Sequence, residues 1–442
     1  MTQKGLYGKI APNQPGSDQR MRFMEQQPRE VKNTLWTRDF TIITAGSVVS
    51  MLGNVLSGFA MSLLVLDYTK STLLFAVYNV LYMLPHAVMP ALCGPFLDRF
   101  SRRKTIYTLD FITAGLYVVM GIVFAGGFFN FALLAVFCVI IGCIGSVYRV
   151  AYDSFYPLLI TEGNYTKAYS VASTLETLTL VMTPLSALIY NKLGVVPLFF
   201  FNALTYLAAA IMETRITARE HYIEKQKENR TESRMGRQMA ADFKEGMRYL
   251  WSEKGLLAVA IYFCFSAFAS GASQSLDLPY FKNTFQNGEY LFMVVWGMAS
   301  VGRAIGGALH YKLHLPKEKK YIIALVVYIT VNVLEGTYLY TPIPAMMVMC
   351  FITGIGGVTS YNIRIAGTQR YVPDEKKGRF NGAFGTIETI GMVAGELIAG
   401  ALAEFLPIRG IISGIMALTT VAALVFIGGN RAAVSRVYNT ED

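Results

Sequence analysis

The chain has 442 residues, of which 53% are hydrophobic and only 15% are charged. Soluble domains carry about a quarter charged residues, so this composition excludes a soluble globular protein, whose surface needs more polar groups. The formal net charge is +10, but most Lys and Arg residues lie in short segments between long apolar runs. This distribution is typical of the cytoplasmic loops of a membrane protein and predicts no nucleic acid partner.

Apolar runs long enough to cross a bilayer, about 20 residues of helix at 1.5 Å per residue, recur along the whole chain. Taken in order, they predict spans at residues 40–66, 73–97, 105–127, 131–155, 168–192, 195–212, 256–280, 290–311, 321–340, 343–365, 380–405 and 408–428. The five cysteines all fall inside these spans, where free thiols behave as small apolar residues. The sequence therefore predicts an all-α polytopic protein of twelve transmembrane helices in a lipid bilayer.

The predicted spans form two groups of six, separated by one long polar segment. We expect a first six-helix bundle at residues 39–212, a cytoplasmic linker with an amphipathic helix at 213–254, and a second bundle at 255–429. Residues 1–38 and 430–442 are polar tails, which the positive-inside rule assigns to the cytoplasm. The expected location is the plasma membrane, with multiple passes and both termini inside.

Several landmarks recur in the two halves at an offset of about 212 residues. The run TLETL around Glu176 in the first half is matched by TIETI around Glu388 in the second. Arg149 and Arg364 stand at matching positions in the fourth and tenth predicted spans. A duplicated transporter places its substrate site between its two halves, so we expect two pseudo-symmetric bundles with a central cavity between them.

The loop that follows the second predicted span reads GPFLDRFSRRK and resembles the signature loop of the major facilitator superfamily. The residues that match the signature are Gly94, Asp98, Arg99, Arg102 and Arg103. Ser101 stands where the family usually has a second glycine. The resemblance implies a conformational latch, because glycine permits close helix packing and an acidic side chain among arginines forms charge-assisted bonds that break when the halves rock. It also implies that Asp98 faces the start of the eleventh span.

Three further segments narrow the resemblance. EGMRYL precedes the seventh span, LPYF ends it, and TQRYVPDEKKGRFNG links the tenth span to the eleventh. They are similar to the branch of the superfamily that contains macrolide efflux pumps and enterobactin exporters, over nearly the whole chain. In the fifth span, where those exporters often have Gly-Pro, this chain has Thr183-Pro184. The resemblance implies the major facilitator fold, alternating access and proton-coupled export of drug-like molecules.

Ionisable residues inside the predicted spans are candidates for proton coupling or for buried ion pairs, because a charge at the centre of a transmembrane helix costs about 2.5–3.5 kcal/mol on insertion scales. The candidates are Glu176, Glu388, Glu396, Glu335, Asp110, Arg149 and Arg364. Two interpretations remain open. Either Arg149 with Glu176, and Arg364 with Glu388, form ion pairs that hold helices together, or one of the glutamates exchanges a proton with the substrate.

Other charges near the ends of the spans are predicted to have structural roles. Asp67 and Asp277 end the first span of each half, where water lowers the cost of a charge, and we interpret them as helix caps or gate residues at the external surface. Arg102 is predicted to pair with Asp153 or with Asp110. These assignments depend on where each helix ends and on which face of the helix carries the charged side chain.

The sequence contains no recurring set of nucleophile, base and orienting residue and no Gly-rich phosphate loop, and its four histidines are scattered. We therefore expect neither an enzyme nor a bound metal or cofactor. The predicted function is secondary active transport of an amphipathic small molecule, with protons as the coupling ion. The alternatives are a transporter that imports or exports a specific nutrient, siderophore or metabolite, and a membrane protein that keeps this fold without transporting.

Overall fold

The computed structural model describes residues 34–97, 100–162, 164–218, 220, 235–312 and 315–439. All regular elements in these ranges are helices. The first six long helices are α1 (Arg38–Thr69), α2 (Thr72–Leu97), α3 (Arg102–Ala125), α4 (Phe131–Phe155), α5 (Tyr165–Leu193) and α6 (Val196–Glu213). A short 3-10 helix, Tyr156–Leu159, extends α4.

The second group follows α7 (Met235–Ser252), a helix with an amphipathic sequence in the segment expected to be the linker. Its long helices are α8 (Lys254–Thr284), α9 (Gly288–Lys312), α10 (Lys320–Thr337), α11 (Ile343–Tyr371), α12 (Asp374–Leu402) and α13 (Ile408–Ala422). One π-helical turn, Ala423–Gly428, prolongs α13, and a short helix, α14 (Arg431–Tyr438), follows it. Two 3-10 turns, Lys317–Lys319 and Tyr338–Tyr340, flank α10.

The structure confirms the twelve predicted membrane helices. Eleven helices of the described chain are long and apolar enough to cross a bilayer, and α5, with 29 residues, is the twelfth. Helices satisfy their backbone N–H and C=O groups internally, as the interior of a bilayer requires. The chain is therefore an all-α, multi-pass membrane protein.

The eleventh span begins earlier than the sequence predicts. The predicted start is residue 380, whereas α12 begins at Asp374, directly after Pro373. Proline disfavours helix in the residue before it and suits the start of a new helix. Asp374 and Glu375 in the first turn also interact favourably with the helix dipole. The charged segment predicted as a loop is therefore an extension of a membrane helix beyond its apolar part.

The two groups of helices pack in the same pattern, which confirms the predicted pseudo-symmetric bundles. In the first bundle α1 packs against α5 and α6, α2 against α4, and α3 against α6. In the second bundle α8 packs against α12 and α13, α9 against α11, and α10 against α13. Each helix thus has the same neighbours as its counterpart six spans away. Clusters of buried apolar side chains fill both bundles, and the cluster of the first bundle also includes Leu278 of α8.

Close helix contact in the second bundle depends on glycine. A Cβ atom at Gly395 would lie 1.9 Å from the carbonyl oxygen of Phe268, and one at Gly271 would lie 2.1 Å from that of Met392. Helices α8 and α12 therefore touch backbone to backbone, as small residues allow in membrane bundles. Helices α9 and α11 meet in the same way at Gly302.

The two bundles contact each other at the ends that the topology predicts to be external. There α12 and α8 pack against α2, and α9 packs against α5. A salt bridge of 2.7 Å between Asp67 Oδ1 and Lys282 Nζ joins the end of α1 to the end of α8. The Tyr190 hydroxyl donates a hydrogen bond of 2.8 Å to the same carboxylate. Asp67 therefore lies where a gate residue is predicted.

Further polar contacts cross between the bundles at this end. Asn191 Nδ2 donates a hydrogen bond of 2.6 Å to Glu289 Oε1. Glu404 Oε1 accepts hydrogen bonds from Ser71 Oγ at 2.7 Å and from Leu73 N at 3.0 Å, so a residue of the second bundle caps the N-terminus of α2. These contacts, together with those of Asp67, are called the external closure below.

Replacing Gly395 with Ala should destabilise the second bundle, because even one methyl group would force α8 and α12 apart. Overpacking of this kind costs about 1–3 kcal/mol, and we expect the Tm of the detergent-purified protein to fall by about 5 °C. The control is Gly382→Ala on the same helix, where a Cβ atom would meet nothing within 4 Å. An equal fall of Tm in both variants would contradict the close backbone contact.

Asp67→Asn should loosen the external closure, since it removes the ion pair with Lys282. Spin labels on the exposed Tyr68 and Phe405 report the separation of the bundles, and we expect the population of long distances to rise about three-fold. Lys70→Gln is the matched control, because Lys70 lies 3.8 Å from Asp67 but its side chain is 77% exposed and contributes little. Identical distance distributions in Asp67→Asn and the unsubstituted protein would argue against this role.

The backbone N–H of Leu73 and the Ser71 hydroxyl hold the pKa of Glu404 below its usual range, because both donate to the ionised carboxylate. This contribution to the closure is present above the ordinary glutamate pKa of about 4.3 and is lost as the pH falls through the lowered pKa. The same label pair should report a constant distance between about pH 5 and pH 8 and a wider one below about pH 4. Glu404→Gln should reduce the amplitude of this transition, and an unchanged amplitude would assign it to other groups.

Candidate functional site

The second bundle contains a cavity of about 1020 Å³, which is large enough for a drug-sized molecule. The sequence predicts a cavity between the two bundles, whereas the lining found among the described residues belongs to α8–α12 and the turn that follows α10. Its aromatic residues are Tyr262, Phe263, Phe292, Trp296, Tyr328, Tyr338 and Tyr361. Its ionisable acids and bases are Asp277, Arg303, Glu335, Arg364 and Glu388. The cavity therefore combines an apolar wall with a few charged groups.

Arg364 and Glu388 form the ion pair predicted for the second half. Arg364 Nη1 on α11 lies 3.2 Å from Glu388 Oε1 on α12, and the two side chains are 12% and 30% exposed. The guanidinium also lies 4.5 Å from the ring centroid of Phe263 and 5.1 Å from that of Phe384. Cation–π contacts and the carboxylate thus hold the arginine in the cavity wall. These contacts hold Arg364 next to Glu388. Protonation of Glu388 would remove the negative charge that attracts the guanidinium.

Asp277 does not lie at the water-exposed end of its helix, so its predicted role as an external cap is wrong. Helix α8 continues through Pro279 to Thr284, which buries Asp277 about two turns below the end. The residue is 1% exposed. Its Oδ1 accepts a hydrogen bond of 2.6 Å from the Tyr338 hydroxyl. The sequence misplaces Asp277 because a proline inside a membrane helix resembles a helix end.

Two more predicted acids lie in the second bundle. Glu335 on α10 faces Arg303 on α9, and both line the cavity. Glu396 on α12 is fully buried and lies at the close contact of α12 with α8, since a Cβ atom at Gly271 would be 3.1 Å from its backbone nitrogen. Both of its carboxyl oxygens lack a hydrogen-bond partner within the described residues. Glu335 is thus part of the cavity wall, whereas Glu396 lies within the helix packing.

Asp110 in the first bundle has an acidic neighbour. Asp110 on α3 is 1% exposed, Glu213 at the end of α6 is fully buried, and the two carboxyl groups face each other. The sequence predicts that Arg102 pairs with Asp153 or with Asp110, and the structure places Glu213 beside Asp110. Gly46 on α1 leaves room for this side chain, because a Cβ atom would lie 3.2 Å from Glu213 Oε1.

Sequence reasoning missed Glu213 because the predicted sixth span stops at residue 212. Helix α6 includes Glu213 as its last residue, so the side chain packs into the bundle rather than belonging to the linker. The sequence feature that could have identified Glu213 is a glutamate directly after an apolar run. A boundary error of one residue was enough to remove this acid from the candidates.

The ion pair predicted for the first half is described only in part. Glu176 lies in α5, but its side chain is outside the described part of the structure. Arg149 Nε on α4 lies 3.9 Å from Asp153 Oδ2, one helical turn away. Both side chains are more than half exposed, so this pair contributes little to stability.

The signature loop is also described in part. Gly94 lies in the last turn of α2, and Asp98 and Arg99 are outside the described residues. Arg102 Nη1 donates a hydrogen bond of 3.0 Å to the carbonyl oxygen of Ser154. This bond ties the start of α3 to the end of α4 within the first bundle.

The other described arginine of the loop bonds to the chain after α6. Arg103 Nη1 donates a hydrogen bond of 2.5 Å to the carbonyl oxygen of Ile216. Glu220 caps α3, since its carboxylate accepts from the Ser101 hydroxyl, from Arg102 N at 2.8 Å and from Arg103 N at 3.3 Å. A carboxylate at a helix N-terminus is favourable. Sequence reasoning missed Glu220, because nothing in a polar linker distinguishes a capping acid from a solvated one.

Comparison with known proteins agrees with this architecture. Residues 43–334 match the family model of the Major Facilitator Superfamily. The chain is 24% identical over 383 residues to Macrolide efflux protein A of Streptococcus pyogenes, a match that covers 84% of this chain and 90% of that protein. It is 20% identical over 384 residues to the uncharacterized MFS-type transporter YvqJ of Bacillus subtilis (strain 168), with 84% of this chain and 87% of that protein covered.

Solved structures share the fold at low identity. A bacterial homologue of the iron transporter ferroportin, in an inward-facing state, has a TM-score of 0.62 at 15% identity and covers 88% of this chain and 98% of its own. The peptide transporter POT in complex with sulfate has a TM-score of 0.63 at 11% identity, with 90% and 96% covered. From its helices, its repeated packing and the match of its sequence to the family model, the chain belongs to the major facilitator superfamily of membrane transporters.

Proposed function

We propose that this protein is a secondary active transporter that exports amphipathic, drug-like small molecules in exchange for protons. The observation that carries the proposal is the cavity of about 1020 Å³, with aromatic walls and three carboxyl groups inside a membrane bundle. Such walls suit an apolar body, and a few fixed polar groups orient it. The similarity to Macrolide efflux protein A of Streptococcus pyogenes supports efflux and an amphipathic cargo.

The arrangement of the bundles supports loading from the cytoplasm. The positive-inside rule places both termini and the linker there, in a plasma membrane, so the external closure lies on the far side. Export then requires the bundles to rock, which breaks the closure and brings their cytoplasmic ends together. The signature residues act as the latch of that second state. They are Gly94, Asp98, Arg99, Arg102 and Arg103.

Glu388 is the proposed site of proton coupling. Its carboxylate neutralises Arg364 in the cavity wall, and protonation would leave that guanidinium without its counter-charge, at a cost in free energy. Helix α12 carries this glutamate and also packs against α2 of the other bundle. A proton at the cavity therefore acts on the helix that joins the bundles. The remaining proton candidates are Glu176 at the equivalent position of the first half, Glu335, Glu396 and Asp110.

The test is transport by the purified protein in proteoliposomes with a pH-sensitive dye inside. We expect macrolides, lipophilic cations or siderophores, screened as a panel, to drive proton movement that Glu388→Gln lowers at least ten-fold, because the uncharged amide cannot exchange a proton. The matched control is Glu375→Gln, which changes an exposed glutamate on the same helix and should leave proton movement unchanged.

Each outcome of this assay bears on one part of the proposal. Substrate movement without proton movement would contradict proton coupling, and no movement across the panel would contradict drug export. Because Glu388→Gln strands a buried guanidinium, folding is checked by size-exclusion chromatography and by Glu388→Asp, which keeps the charge. Full coupling in Glu388→Gln would move the proposed coupling site to another acid.

A further inference from the structure

Asp277 is the cavity acid without a facing cation. Among the described residues, the cavity wall holds three carboxyl groups and two guanidinium groups. Arg364 lies 3.2 Å from Glu388, and Arg303 is the cation that faces Glu335. Asp277 is therefore the carboxyl group of the wall that no guanidinium group faces. The wall is therefore one positive charge short of neutrality when all of these groups are ionised.

The geometry at Asp277 leaves one oxygen free for a ligand. Its Oδ1 is held by the Tyr338 hydroxyl at 2.6 Å, whereas its Oδ2 has no hydrogen-bond partner in the described chain. The residue is 1% exposed and lines the cavity. A buried polar atom without a partner is unfavourable, so a donor brought by a ligand would be stabilised at this oxygen.

Two aromatic side chains lie on this side of the cavity. The indole N–H of Trp296 is close enough to Asp277 to act on its carboxylate, but the two groups do not reach ordinary hydrogen-bond geometry. The centroid of the Phe292 ring is 6.2 Å from that of Trp296. Trp296 Nε1 also lacks a partner within the described residues. Tryptophan is the best aromatic partner for a cation, and adjoining rings accept the apolar part of the same molecule.

We infer that Asp277 and Trp296 form a subsite for the protonated amine of an amphipathic substrate. This follows from the charge of Asp277 that no cation faces, from its Oδ2 atom without a hydrogen-bond partner, and from the aromatic rings nearby. The ammonium N–H donates to Asp277 Oδ2 and supplies the positive charge that this part of the wall lacks. The hydrophobic body of the molecule lies along Trp296 and Phe292. This inference rests on the proposed transport function and narrows its substrate class to monocationic amines.

The experiment measures binding rather than transport, in the full-length protein in detergent. The chain has three tryptophans, and Trp36 and Trp251 are 56% and 66% exposed, so replacing both with Phe leaves Trp296 as the fluorescent reporter. In this background, propranolol, a protonated amphipathic amine, should quench the fluorescence saturably. Its uncharged N-acetyl derivative should bind at least ten-fold more weakly.

Asp277→Asn keeps the shape and the bond to Tyr338 but removes the charge, so it should weaken propranolol binding at least ten-fold. The weak affinity for the N-acetyl derivative should stay the same, which shows that the cavity remains folded. The matched control is Asp374→Asn, an exposed aspartate at the start of α12, which should change neither affinity.

Three binding results would overturn the inference: equal affinity for propranolol in Asp277→Asn and in its parent, equal affinity of the parent for the two compounds, or no saturable quenching by propranolol.

The inference and the proposed function are contradicted by different results. Binding of propranolol at Asp277, with no compound moved by proteoliposomes, would contradict export and keep the subsite. Transport of amines at an unchanged rate in Asp277→Asn would contradict the subsite and keep export.

Discussion

A charged side chain buried in a bilayer has no water to solvate it. This constraint favours the pairing of opposite charges between helices of the second bundle. Arg364 on α11 pairs with Glu388 on α12 at 3.2 Å, and Arg303 on α9 faces Glu335 on α10. The ion pair joins α11 to α12 across the cavity, because separating the two side chains would leave an unpaired ion in the wall. All four of these residues line the cavity.

Helix α12 connects three parts of the protein. Near its start, Arg379 Nη1 lies 2.6 Å from Glu245 Oε1 on the linker helix α7. Its middle places Glu388 in the cavity wall, and its far end packs against α2 just before Glu404 enters the external closure. A helix is stiff along its axis, so the linker, the cavity and the closure are mechanically coupled through one element. This coupling is what alternating access requires of a transporter.

The sequence was sufficient for the fold, because apolar length, charge distribution and the internal repeat are direct consequences of the bilayer. It also offered the pair of Arg364 with Glu388 as one of two interpretations, since both lie on spans of known order at similar depth, and the two side chains lie 3.2 Å apart. It failed for Asp277 and Glu213, whose burial depends on where a helix ends within one or two turns. It also missed Lys282 and Glu404 in the external closure, because contacts between bundles depend on their relative orientation, which no local pattern encodes.

Glycine contacts divide the second bundle into two rigid pairs of helices. Helices α8 and α12 touch at Gly271 and Gly395, and α9 and α11 touch at Gly302 and Gly354. Within a pair, no layer of side chains lies between the backbones at these points, so small rotamer changes cannot alter the spacing. The cavity lies between the pairs and changes its width when one pair moves against the other. Because backbone contact fixes the spacing within each pair, this width is the dimension of the cavity that such a movement would change.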